Sequence, residues 1–210
     1  PFDRLVQERK GLHQPFMLNY LLGRYKPGEE RIWIDIAFAV SPFLLYAGLA
    51  LEDKRYIDDA IHQTAELVRV LRNPDNGLLR QSKNFNGQLP GRLSDDAWSR
   101  GNGWGAYGLA ELAAYLPAQH PRRDEMVAMY RDHVDACAKV QDPQGLWRQE
   151  MTEVKDAYVE TSGSALMLWA LGEGLAAGII DASQRERFER GCRGLLAYIS
   201  TDTDIYHTCR

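Results

Sequence analysis

Apolar residues recur along this chain at helical spacing, and strict apolar–polar alternation is rare, so the pattern predicts helices and almost no strand. From Ile32 to Leu51 the chain is apolar on nearly every side (Trp33, Ile34, Ile36, Phe38, Val40, Phe43, Leu44, Leu45). That predicts a buried helix, with Pro42 kinking it or marking its first turn. The next segment carries Tyr56, Ile57, Ala60, Ile61, Thr64, Leu67, Val68 and Leu71 on one face and Asp58, Asp59, Gln63, Glu66 and Arg69 on the other. It predicts an amphipathic, half-exposed helix. The pair recurs twice. Gly103 to Leu116 reads as buried, and Arg122 to Val140, with Met126, Tyr130, Val134 and Cys137 in a stripe, as outer. Ser164 to Ala177 is again apolar all round, and Ser183 to Ile199 again amphipathic, with Asp181 and Gln184 spaced as a capping box. Ahead of these, Phe16, Met17, Tyr20 and Leu21 suggest a short helix ended by Gly23 and Pro27-Gly28.

The loops repeat too. Gly77-Leu78-Leu79-Arg80-Gln81 follows the first outer helix and Gly145-Leu146-Trp147-Arg148-Gln149 the second, with Gly, Leu, Arg and Gln matching. A repeated helix pair plus loop is the mark of stacked α-hairpins. Inner helices apolar on all sides imply closure, because an open array wets one face. The expected architecture is all-α, an α/α toroid built of helical hairpins, six of which would make a complete ring. Three clear hairpins are too few for six, so residues 1–210 are expected to form a single α/α-barrel domain that is part of a longer one.

Composition narrows the function. A chain of 210 residues with 45% hydrophobic and 26% charged residues is that of an ordinary globular domain. No apolar run is long enough to span a bilayer, and no signal peptide stands at the start, although Pro1 leaves the true N-terminus open. A net charge of −4 argues against nucleic-acid or anionic-membrane partners while leaving room for one small anion held by an arginine. Three widely spaced cysteines (Cys137, Cys192, Cys209) with no CxxC pair argue against a disulfide framework or zinc site and for a cytoplasmic setting. Cys137 and Cys192 fall on apolar helical positions and are expected to be buried.

Three unusual segments stand at the entrances to the inner helices: Trp33-Ile34-Asp35, Asp96 to Trp104, and Tyr158 to Ser164. In a closed ring these converge on one mouth. Indoles there suit the C–H faces of sugars, and carboxylates and amides suit their hydroxyls. Each residue also has a structural reading. Asp95 or Asp96 could cap the helix that follows. Asp35 could be paired with Arg31 or Arg100, since an ionised carboxylate in an apolar run costs several kcal/mol unpaired. Trp98 and Trp104 could be core, and Arg100 a tie between hairpins. Ser162 and Ser164 read as helix-start residues. His62, His120 and His133 read as surface histidines, and His13 and His207 stay open.

The Trp33-Ile34-Asp35 segment with Phe38 and Pro42-Phe43-Leu44, then Trp98-Ser99-Arg100-Gly101-Asn102-Gly103-Trp104, Gly145 to Gln149, and Glu160-Thr161-Ser162-Gly163-Ser164-Ala165 together resemble glycoside hydrolase family 105 and its relative family 88. The resemblance implies an (α/α)6 barrel that releases a 4,5-unsaturated uronic acid from the non-reducing end of lyase-generated oligosaccharides. Pectin or rhamnogalacturonan fragments are the favoured type. In those families an aspartic acid protonates C4 and water adds at C5; no metal or organic cofactor is needed. Carried over, Asp96 is the acid/base, with Asp95 as the alternative, and Asp35 the second catalytic carboxylate. Trp33, Asp95, Trp98, Asn102, Trp104, Trp147, Ser162 and Ser164 become candidates for substrate contact, and Arg100 and Arg148 for the substrate carboxylate. The implied partner is a small oligosaccharide bearing a uronic acid. Relatives carry a histidine near the Gly-Leu-aromatic loop that Leu78-Leu79-Arg80-Gln81 lacks. An inverting glycosidase on a similar barrel, with carboxylates about 6.5–9.5 Å apart, and a non-catalytic carbohydrate-binding toroid are the competing readings.

Overall fold

A computed structural model describes residues 32–84, 91–153 and 155–208. The reading of Phe16 to Gly28, the possible partner Arg31, His13 and Cys209 lie outside the described residues. The described residues start with β1 (Ile32–Trp33), which pairs antiparallel with β2 (Ser82–Lys83). Three helical hairpins follow. The first joins α1 (Ile36–Ala39) and α2 (Ser41–Ala50) to α3 (Lys54–Leu71), the second α4 (Ser99–Tyr115) to α5 (Arg123–Ala138), and the third α6 (Thr161–Ala176) to α7 (Gln184–Leu196). The inner layer is α1/α2, α4 and α6; α3, α5 and α7 back it.

Pro42 resolves the first inner segment into two helices. It occupies the first turn of α2, where its missing N–H breaks no bond, and the chain is interrupted at Val40 just before it. The core lies between the layers: Leu67, Leu71, Leu109, Tyr130, Trp147 and Leu168 in one cluster, Leu45, Ile57, Ile61, Leu112 and Met126 in another. Helix α4 is central, and its glycines set how closely neighbours approach. A Cβ on Gly108 would stand 2.4 Å from the Ala37 carbonyl oxygen of α1, and one on Gly103 2.8 Å from Leu166 of α6. Cys137 is buried as expected, whereas Cys192 is only half-buried.

Two expectations change. The inner helices are not covered on every side: Phe43 is 69% exposed and Tyr46, Tyr115 and Trp169 are also open, all on inner-layer helices. Periodicity marks a side chain as apolar, not which partner covers it. The capping box also fails. Asp181 accepts from the Ser183 N–H at 2.8 Å as a local turn, and α7 starts only after Ser183, which makes no side-chain cap.

The repeated loops are two copies of one device. Gly77 and Gly145 sit at φ 77° and 88°, the left-handed region, and each turns the chain so that the following leucine is buried. The next residue is then stapled to the fourth position of the next inner helix. The Asn102 side chain accepts from the Leu79 N–H (2.7 Å) and donates to the Leu79 carbonyl (2.9 Å). Ser164 Oγ accepts from the Trp147 N–H (2.9 Å). Arg80 and Arg148 each donate to a carbonyl at the following helix entrance, Ser94 (2.8 Å) and Ala157 (2.6 Å). A third copy follows α7. Ile199 bridges Ile205 as Arg72 bridges Leu79, and Thr203 takes the positive φ (69°) that Gly77 takes in the first.

Candidate active site at the mouth of the inner helices

The loop segments join edge to edge into a rim. Ile34 N–H donates to Gln81 O, Ser99 N–H to Gln149 O, Gln149 N–H to Tyr158 O, and Thr161 N–H to His207 O. This rim holds the N-terminal ends of α1, α4 and α6 side by side. The junction of α4 and α6 is tightest: a Cβ on Gly163 would lie 2.6 Å from both Arg100 N and Ser99 C.

Asp35 lies just after β1 and opens α1 without capping it: the side chain makes no cap hydrogen bond. Burial raises its carboxyl above the ordinary value, and the Arg100 charge and the Trp104 indole N–H pull it partly back. The indole stands near enough to act on that charge, yet neither Asp35 Oδ2 nor Trp104 Nε1 completes a hydrogen bond among the described residues, and both atoms are buried. Arg100 is held over the Trp98 ring, its guanidinium carbon 4.6 Å from the centroid. Trp104 packs on Phe38 (4.3 Å between centroids), Phe38 on Tyr107 (5.1 Å), and Tyr107 stacks on Trp169 (4.2 Å), an aromatic run leading inward from the mouth. Asp35, Trp98, Arg100 and Trp104 therefore meet.

Asp96 lies on the strand-like approach to α4, half-buried, and its Oδ1 is buried with no hydrogen-bond partner among the described residues. Neither Asp95 nor Asp96 caps α4. Asp95 is exposed and reaches outward to Arg92 at 2.8 Å, away from the candidate role in substrate contact. The backbone at Ala97 is bound instead by the Glu150 carboxylate, 2.9 and 3.0 Å from its N–H. Trp33 is 37% exposed at the start of the rim.

Five other candidates make contacts within the fold. Asn102 is fully buried, and besides Leu79 it donates to the Trp98 carbonyl (3.0 Å), so its amide is spent inside the protein. Trp147 is 1% exposed and its indole N–H donates to the Cys137 carbonyl at 2.8 Å: it is core. Ser164 Oγ donates to the Glu160 carbonyl (2.7 Å) while holding Trp147. Arg148 spends part of its guanidinium on Ala157. Ser162 is half-buried and its hydroxyl donates to Glu160 at 2.5 Å.

Glu160 is the group that residue-by-residue reading undervalued. It is fully buried, and its carboxylate accepts from Ser99 Oγ (3.0 Å), Ser162 N–H (2.9 Å), Ser162 Oγ and Gly163 N–H (2.7 Å), locking α6 onto α4. Its signal was its place directly before Thr161-Ser162-Gly163-Ser164, at a helix start. His133, expected on the surface, is fully buried: Nε2 lies 3.0 Å from the Asn102 carbonyl, which assigns its proton there, and burial lowers its pKa to about 4. It stands three residues after Tyr130 and four before Cys137, on the buried stripe. His62 is exposed, His120 pairs with Asp58 at 3.3 Å, and His207 is exposed at the rim.

The described residues hold no group of three or more histidine, cysteine or acidic side chains able to bind a metal. No described helix is long and apolar enough to cross a membrane.

Hairpins in two layers, with the inner helices opening at one mouth onto a buried carboxyl, an arginine on an indole and an inward run of aromatics, define a protein of the α/α-ring class. The chain matches the profile of Glycosyl Hydrolase Family 88 over residues 13–210, and it belongs to that family. It is 29% identical over 142 residues to the unsaturated rhamnogalacturonyl hydrolase YesR of Bacillus subtilis (strain 168), covering 68% of this chain and 40% of that protein. It is 23% identical over 177 residues to an unsaturated 3S-rhamnoglycuronyl hydrolase of Alteromonas sp. (strain LOR), covering 81% and 42%. Among solved structures, a family 105 glycoside hydrolase of C. acetobutylicum ATCC 824 superposes with a TM-score of 0.76 at 26% identity, over 84% of this chain and 52% of that one. The chain thus spans less than half the length of these curated relatives.

Proposed function

We propose that the protein is a hydrolase that releases a 4,5-unsaturated uronic acid from the non-reducing end of lyase-generated oligosaccharides. Rhamnogalacturonan fragments are the favoured substrates, as the name of the Bacillus relative suggests. The observation that carries the reading is Asp35: a carboxyl whose pKa burial raises, with an unpartnered buried oxygen, beside an arginine and an indole N–H. A proton donor working near neutral pH needs a raised pKa and a free oxygen aimed at the substrate.

Asp35 therefore takes the acid's part, in place of the Asp96 that the motif order suggested. Its proton goes to C4 of the enol ether, the double-bond electrons form the new C–H bond, and positive charge develops at C5 next to the ring oxygen. Water adds at C5 and loses a proton to the Asp35 carboxylate. The hemiketal then opens and releases the sugar. In this reading Arg100 receives the uronate carboxylate, which its position over the Trp98 ring supports. Asp96, with its unpartnered Oδ1, is the second carboxylate, suited to accepting a substrate hydroxyl.

The test is decay of enol-ether absorbance with unsaturated galacturonyl and glucuronyl disaccharides. Asp35→Asn should lower kcat by at least about 1000-fold, within the range for removing a general acid, and Arg100→Met should mainly raise KM. Turnover of saturated glycosides with no decay of unsaturated ones would reject the proposal.

A further inference from the structure

We propose that Glu150 is a positioning residue for the reaction, setting the direction of the Asp96 side chain through the Ala97 peptide; this rests on the part given to Asp96 above. The first two rim joints begin alike. Ile34 N–H donates to Gln81 O in one and Ser99 N–H to Gln149 O in the other, at 3.0 Å in both. One residue further out, Trp33 pairs with Ser82 and Trp98 with Glu150. In the first joint the next pair, Ile32 with Lys83, continues as strand. In the second the chain turns at Met151 and Thr152, and Glu153 N–H donates back to Glu150 O (3.3 Å). The Ala97 N–H goes instead to the Glu150 side chain, 2.9 and 3.0 Å from its two oxygens.

Ala97 is buried, so its N–H needs a partner, and a charged acceptor makes the stronger bond. The carboxylate is itself held, since Thr152 Oγ1 donates to Glu150 Oε1 at 2.8 Å. The Ala97 carbonyl accepts from Met151 N–H at 3.0 Å. Both backbone groups of Ala97 are therefore fixed to one short segment. Ser82, which stands where Glu150 does in the first joint, is too short to make this reach.

The consequence falls on Asp96. The Ala97 N–H and the Asp96 carbonyl belong to one planar peptide, so fixing that N–H fixes the backbone leaving Asp96 and with it the Cα–Cβ direction. Upstream, Asp95 is exposed and pairs outward with Arg92, and the backbone is tied at Ser94, whose N–H donates to Ser82 O (2.8 Å). Asp96 Oδ1 is buried without a hydrogen-bond partner among the described residues, so no contact of that oxygen steers it. A carboxylate that accepts a substrate hydroxyl works best when its aim is set before the substrate arrives. Here the backbone sets the aim, and Glu150 sets the backbone.

The test is a double-mutant cycle in the full chain, read as kcat/KM on the unsaturated disaccharide that wild type turns over. Asp96→Ala should lower it at least about tenfold, the loss of a hydrogen bond to a charged group. Glu150→Ala should lower it about tenfold in wild type and less than about twofold in Asp96→Ala, because Glu150 acts through Asp96. Glu150→Gln keeps an oxygen for the Ala97 N–H and should recover most of the loss. If Glu150→Ala does not fold, Glu150→Asp, whose oxygens stop one methylene short, takes its place in the cycle. An equal fall in both backgrounds means that the carboxylate only holds the rim together and overturns the proposal, as does no fall in wild type. Asp96→Ala with wild-type kinetics overturns both the proposal and the part given to Asp96, while the hydrolase reading stands. A wild-type protein that turns over no unsaturated disaccharide overturns all three.

Discussion

Replacing Asn102 by alanine separates two roles for one residue. If Asn102 touched substrate, the variant would bind more weakly and fold as before. In the structure its amide instead satisfies both backbone groups of Leu79, a residue only 1% exposed. The Trp98 carbonyl keeps a partner without it, since the Asn102 backbone N–H donates there at 2.9 Å. The variant therefore strands one buried N–H and one buried C=O. At about 1–3 kcal/mol for each unsatisfied group, the loss is about 4 kcal/mol, a large part of the roughly 5–15 kcal/mol that holds a domain together. For a chain of this size, about 2–4 °C per kcal/mol converts this to a fall in Tm of about 8–16 °C. Differential scanning calorimetry reads it directly, with urea unfolding as a check that the m-value is unchanged. A Tm within about 2 °C of wild type, accompanied by a raised KM, would refute the staple and restore Asn102 to the substrate.

Three further outcomes follow from the same geometry. Because burial raises the pKa of Asp35, the folded state binds that proton more tightly than the unfolded chain, and stability is lost as pH rises from about 4 through the folded value; Asp35→Asn should be inactive yet more stable than wild type at pH 7, the gain vanishing below about pH 4 in thermal melts. His133 has the opposite sign. With its pKa lowered to about 4 by burial, its stabilisation is complete above about pH 6.5 and is lost as pH falls toward 4, about 3 kcal/mol in all, so wild type should lose more over that interval in pH-dependent urea titrations than His133→Gln. Gly163→Ala puts a methyl 2.6 Å from two backbone atoms of the α4 start and should cost about 1–3 kcal/mol together with most of the turnover; a variant with wild-type kinetics would mean that the α4–α6 junction does not set the mouth.

The helices and their pairing were legible because period and amphipathicity are imposed by burial, and Leu67 or Tyr130 could hardly lie elsewhere than between layers. Which apolar face lacks cover was not legible: Phe43 and Leu45 have the same composition signal, and only three-dimensional placement separates 69% exposed from fully buried. In the site, Asp35 showed itself as a carboxyl inside an apolar run. Asn102, Trp147 and Ser164 misled because polar staples and ligand contacts use the same chemistry, and a hydrogen bond's partner cannot be read from one side. The third loop was hidden because Thr203 holds a conformation that glycine marks in the first two. His133 was read as a surface histidine when it is a member of the buried stripe.

The staples carry one more implication. In the first two turns of α4, Ser99 and Asn102 grip the protein while Arg100 and Trp104 lie at the mouth, so mouth and structure-holding residues alternate along the start of one helix. Each staple joins one hairpin to the next, which makes the ring a chain of nearest-neighbour couplings rather than one indivisible core. Opening of a single staple would then swing the adjoining mouth residues apart while the interlayer core stayed intact, a sub-global event well below the full unfolding free energy. The affinity of the mouth would be limited by its weakest link, and hydrogen exchange at Leu79 and Trp147 would report that limit before any probe of global unfolding.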